Sequence, residues 1–107
     1  MKRYAVEWAI TARDDLESIA SYIAQDSVVN ALKIVERIEA RASTLSTLPL
    51  RGRMVPELRW HGVMAFHELI EKPWRLIYRI EPHRVVVVSV LDERRNLDDL
   101  LLDRFVR

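Results

Sequence analysis

The chain has no cysteine, only two glycines and only four prolines among its 107 residues. Without cysteine, neither disulfides nor thiolate metal ligation can contribute. Gly52 and Gly62 stand alone, which excludes a glycine-rich phosphate loop. So few breakers leave no obvious linker, and the length suits one domain, so residues 1–107 are expected to form a single unit. No run approaches the roughly 20 apolar residues that span a bilayer. The start, Met1-Lys2-Arg3-Tyr4, leads into a short mixed segment instead of a signal-peptide core. A cytoplasmic protein without a membrane partner is expected. His61, His67 and His83 lack the spacing of a helical zinc site, and no serine sits in a nucleophile elbow. Neither a metal nor an organic cofactor is expected.

What is present is a balanced globular composition, with 50% apolar and 31% charged residues. The formal charge is only +1, yet 14 arginines stand against 3 lysines. Arginine presents a planar fork of donors suited to carboxylates and phosphates, so the bias points to interfaces. The near-zero net charge argues against coating nucleic acid through bulk electrostatics.

Tyr4 to Trp8 alternates and reads as a short strand. Thr11 and Asp14 form a plausible capping pair for a helix whose apolar stripe is Ala12, Leu16, Ile19, Ala20 and Ile23. Ser27 can cap a second helix, striped by Ala31, Ile34, Val35, Ile38, Ala42, Leu45 and Leu48 and stopped by Pro49. So short a break predicts an antiparallel helical hairpin. Leu50 to Gly62 reads as an irregular connection. Val63–Ile70, Trp74–Ile80 and Arg84–Leu91 are β-rich and separated by tight turns, which predicts a three-stranded antiparallel meander. The run Val85-Val86-Val87-Val88 suggests a central strand buried on both faces. Asn96 to Phe105 then reads as a helix. The expected class is α+β, in the order β-α-α-β-β-β-α, with the hairpin packed on the sheet.

Several pieces carry a family resemblance: Val6-Glu7-Trp8 running into Ala12-Arg13-Asp14-Asp15-Leu16, then Tyr22-Ile23-Ala24, and Leu48-Pro49-Leu50-Arg51-Gly52-Arg53 with Val55-Pro56-Glu57-Leu58. His67-Glu68-Leu69, Arg75-Leu76-Ile77-Tyr78-Arg79-Ile80 and Val90-Leu91-Asp92-Glu93-Arg94-Arg95 follow. In order and spacing they resemble the ParE/RelE superfamily of type II toxin–antitoxin systems over nearly the whole chain. The resemblance implies a small toxin held by an antitoxin, acting in one of two ways. RelE-like members cleave messenger RNA in the ribosome, and ParE-like members inhibit DNA gyrase. Fold alone cannot choose between them.

Cleaving RNA at its own 2′-hydroxyl needs a proton acceptor, a proton donor and cations around the phosphate. Arg75, Ile77 and Arg79 share one strand face, and Arg53 could reach it from the preceding loop. His67 and Glu68 are the best acid–base pair, but neighbours on a strand point to opposite faces. Arg53, His67, Arg75 and Arg79 are therefore the catalytic set if the chain is a ribosome-dependent ribonuclease. RelE-like relatives commonly carry a tyrosine, or a histidine and tyrosine, near the C-terminus. Here the last tyrosine is Tyr78, the tail Asp103-Arg104-Phe105-Val106-Arg107 offers neither group, and Asp92 stands where many relatives have histidine. These departures favour the ParE-like branch, with Arg94, Arg95 and Arg104 as target contacts on gyrase. Arg75 and Arg79 are expected to pair with neighbours such as Glu68 or with antitoxin carboxylates. Trp60, between Arg59 and His61, is the candidate antitoxin anchor alongside them.

Overall fold

The computed structural model describes residues 2–106. Strand β1 (Ala5–Trp8) enters helices α1 (Ile10–Ala24) and α2 (Val28–Ser43), closed by a 3-10 turn at Thr44–Ser46. A two-residue strand β2 (Arg53–Met54) and a short helix α3 (Pro56–Trp60) precede the meander β3 (Phe66–Glu71), β4 (Trp74–Ile80) and β5 (Arg84–Asp92). Helix α4 (Asp98–Phe105) follows. The expected β-α-α-β-β-β-α order is present, with β2 and α3 added inside what the sequence suggested was irregular.

The five strands form one sheet in the order β1-β5-β4-β3-β2. β1 runs parallel to β5, and the other neighbours are antiparallel. The four-valine run therefore lies on an inner strand, as its composition demands. Val85 and Val87 join the core under the helical hairpin with Ala12, Ile38, Ala42, Leu45, Leu76 and Tyr78. Val86 and Val88 face the opposite layer, with Val55, Leu58, Ile77, Leu97 and Leu101. Fully burying a valine contributes about 1.5–3 kcal/mol, so β5 stabilises both layers at once. The sheet is covered on both sides.

Pairing between β4 and β5 shifts register: Ile77 opposes Ser89, but Tyr78 opposes Val87. Val88 is the extra residue of a β-bulge, and such bulges re-aim side chains. Val88 packs in the α4 layer while Ser89 reaches Arg104 of the same helix. The side-chain alternation resumes with Val90 under the hairpin and Leu91 on the α4 side.

Two local expectations need correcting. Thr11 does not cap α1: the cap position is Ala9, without a side-chain bond, and Thr11 already lies inside the helix. Leu48 leaves the α2 stripe because the helix ends at Ser43, and its side chain is exposed. Ser27 does cap α2, its hydroxyl accepting from the Asn30 amide at 3.1 Å.

Candidate interaction surfaces

The face of β3 and β4 opposite the hairpin holds a chain of arginines and carboxylates. Arg75 grips both oxygens of Glu57, Nη1 to Oε2 and Nη2 to Oε1, each at 2.7 Å. Its Nε donates to Glu68 Oε1, also at 2.7 Å. Arg53 donates to the other oxygen of Glu68 at 2.7 Å. Glu68 is 1% exposed and Arg75 7%, so these charges are satisfied almost wholly by each other. The bonds from Arg75 hold the Glu57 carboxyl below its ordinary range, against the smaller opposing effect of burial. The same bonds raise Arg75. Beside this chain, Arg79 and Arg84 share Glu81 at 2.8 and 2.6 Å.

On the other face, His67 stacks on Tyr78 with ring centroids 5.7 Å apart. The Tyr78 hydroxyl donates to the Pro49 carbonyl at 2.8 Å and accepts from the Gly52 amide at 3.1 Å. Burial raises the Tyr78 hydroxyl's pKa. A methyl group at Gly52 would collide with the Glu68 carbonyl and with that hydroxyl, so only glycine lets the 49–52 loop lie so close.

A different arrangement occupies the far end of β5. β1 pairs with β5 only as far as Val87, so β5 continues past the end of its neighbour. Asp15 of α1 substitutes for the missing strand, accepting the Val90 amide at 3.0 Å. Arg104 of α4 forks onto the same carboxylate at 2.8 and 3.0 Å and donates to Ser89 Oγ at 2.9 Å. Next to this clamp opens a cleft of about 690 Å³, with Ile19, Tyr22, Ile23, Trp74, Leu97 and Leu100 among its walls. Arg94 and Arg95 also line it. Arg94 is tied to Asp92 at 2.7 and 2.9 Å, which lowers the Asp92 carboxyl. Arg95 is exposed, and its charge acts on Asp92 only at a distance, without a direct ion pair among the described residues.

The chain matches the family model described as the ParE toxin of the type II toxin–antitoxin system parDE over residues 6–97. The chain belongs to the ParE toxin family. It is 32% identical over 84 residues to Toxin ParE3 of Caulobacter vibrioides, covering 78% of this chain and 80% of that protein. Its fold is similar to the chromosomal ParDE system of P. aeruginosa, with a TM-score of 0.69 at 20% identity, over 84% of this chain and 96% of that one. It is also similar to the RelBE2 toxin–antitoxin complex of Mycobacterium tuberculosis, with a TM-score of 0.65 at 26% identity, over 86% and 93% of the two chains.

In this ParE-family chain, Arg53 and Arg75 do meet, through Glu68, and Arg79 lies on the same face. His67 is on the other face, so the four residues do not converge. Two of the expected interface arginines are engaged within the fold. Arg75 is buried and takes the first of its two expected roles, pairing with Glu68 as well as with Glu57. Arg104 is partly buried at the cleft, where it holds α4 to Asp15 and Ser89. Arg79 is half-buried on Glu81, Arg94 and Arg95 are exposed at the cleft, and Trp60 is 88% exposed. The Asp15 clamp was not anticipated. Its only trace in the sequence is a polar residue close beside the apolar stripe of α1.

Among the described residues, no group of histidine, cysteine or acidic side chains is placed to hold a metal ion. None of their helices is long and apolar enough to cross a membrane.

Proposed function

We propose that this toxin acts by binding a protein, DNA gyrase being the target that its family resemblance implies, and that a cognate antitoxin neutralises it. The observation that carries this reading is the pairing of the arginine face with its own carboxylates. Arg75 forks onto Glu57 and also reaches Glu68, while Arg53 and Arg79 each give one Nε bond, to Glu68 and to Glu81, with His67 on the opposite side of the sheet. A ribonuclease site needs free cations and an acid–base group on one side of the phosphate. On this face the carboxylates Glu57 and Glu68 are held by arginines, and His67 lies on the other side.

The cleft beside α1, α4 and β5 suits a helical partner. Its walls are largely aliphatic and aromatic, and three arginines against two aspartates leave its edge net positive, which matches an amphipathic antitoxin helix with carboxylates along one border. A helix seated there covers Arg94 and Arg95. If those two arginines contact the target, the antitoxin neutralises the toxin by occupying the same ground.

Expression of the toxin, followed by mapping of message ends and of gyrase-linked DNA breaks, tests the reading. DNA breaks with intact messages support it. Codon-linked cuts in translated messages, with gyrase unaffected, would replace it with the ribosome-dependent activity.

A further inference from the structure

At the sheet edge opposite β1, a second surface is left unused by the cleft and its clamp. Trp60 closes α3 with 88% of its surface exposed, and Met64 and Met54 nearby are 52% and 37% exposed. With Arg53, Pro56 and Arg59 they line a shallow depression of about 710 Å³. The lining holds two cations and no carboxylate. Arg59 has no ion-pair partner among the described residues, so the surplus positive charge is available to a ligand. Tryptophan and arginine are the residue types that most often anchor protein interfaces, and methionine thioethers adapt to irregular apolar partners. β2 is also the last strand of the sheet. Val55 donates its amide inward to Phe66, so by strand alternation the backbone of Met54 faces outward and can accept an extended chain.

We infer that this patch docks an acidic, extended segment of the toxin's protein target. An apolar side chain of that segment lies between Trp60 and the two methionines, and its carboxylates meet Arg59 and the exposed end of Arg53, whose Nε stays on Glu68. The inference rests on the reading of the chain as a protein-binding toxin. It places target recognition partly on a surface at the opposite sheet edge from the cleft proposed for the antitoxin. A protein is favoured over nucleic acid because the chain carries a net charge of only +1.

Trp60→Ala and Arg59→Glu test this, because both side chains are exposed and neither change opens the core. Each variant is compared with the wild type for melting temperature, co-purification with the cognate antitoxin, growth arrest and affinity for gyrase holoenzyme. The expected result is unchanged melting and antitoxin capture, lost growth arrest and at least tenfold weaker gyrase binding. Trp60 emission in the wild type should also shift to the blue on gyrase addition. Variants that arrest growth and bind gyrase like the wild type overturn the inference and leave the gyrase reading standing. Growth arrest lost in the variants, when the wild type itself does not bind gyrase, supports the patch and sinks gyrase as the target. A wild type that neither arrests growth nor binds gyrase overturns both. Loss of antitoxin capture assigns the patch to the antitoxin. Loss of affinity for a single-stranded oligonucleotide, with gyrase binding intact, assigns it to nucleic acid. Either of these last two results overturns the inference.

Discussion

Arg75 has to satisfy two carboxylates at once, and one of them, Glu68, is almost wholly out of water. Removing one partner of a buried ion pair costs about 3–5 kcal/mol when nothing else compensates the other, and here Arg53 remains on Glu68, so the loss falls toward the lower end. Arg75→Ala should therefore destabilise the fold by about that much in urea unfolding, whereas Arg95→Ala, on the exposed loop, should fall within about 0.5 kcal/mol of wild type. A fall in stability for Arg95 equal to that for Arg75 would contradict these assignments. Glu57 gives the same network a pH signature. Its folded pKa lies below its unfolded value, so its contribution is fully present above the unfolded value, about 4.3, and is lost as pH falls through the folded one. Glu57→Gln should be less stable than wild type at neutral pH, and the gap should narrow in acid. A gap independent of pH would contradict the pairing. Tyr78→Phe strips both the Gly52 amide and the Pro49 carbonyl of a partner, which should cost about 1–3 kcal/mol by the same measurement.

Among the elements, α4 and the end of β5 depend on one carboxylate. Asp15 accepts the Val90 amide and the fork of Arg104, linking α1, β5 and α4 across 89 residues of sequence. Asp15→Ala should raise hydrogen exchange at the Val90 amide and through α4 together, with the β3–β4 pairing unaffected. Exchange that rises only at Val90 would mean that α4 is held by packing alone. The clamp could not be read in advance because it joins residues whose proximity depends on β1 stopping at Trp8. The elements themselves were far more legible. The valine run, the helical stripes and the turns at 71–73 and 81–83 each follow from local periodicity, and β4 was bounded at Trp74–Ile80 as observed. β2 and α3 escaped because two and five residues carry no period. Pro56 at the first helical position, with Glu57 in the first turn and Leu58 buried beneath, was the signal available for α3.

For the molecule as a whole, an arginine face paired with its own carboxylates lies between two open surfaces toward opposite edges of the sheet. Composition pointed to arginines made for interfaces, but not to which of them are consumed internally. That depends on pairing register, since β3–β4 alignment sets Glu68 opposite Ile77 and thus beside Arg75. Arg75 turned inward for this reason and Arg104 is engaged by the Asp15 clamp, while Arg94, Arg95, Arg59 and Trp60 stayed exposed. At this scale, Arg94→Ala combined with Arg95→Ala should weaken growth arrest without lowering the melting temperature. Full toxicity in that variant would remove the cleft rim from the target surface. The most direct measurement is titration of the purified toxin into a gyrase supercoiling reaction, scored for lost supercoiling and accumulated cleaved DNA, with ribosome-bound message run in parallel. Inhibition near one toxin per gyrase, reversed by the antitoxin and with the message intact, is the predicted result; cleaved message and unimpaired gyrase would contradict it.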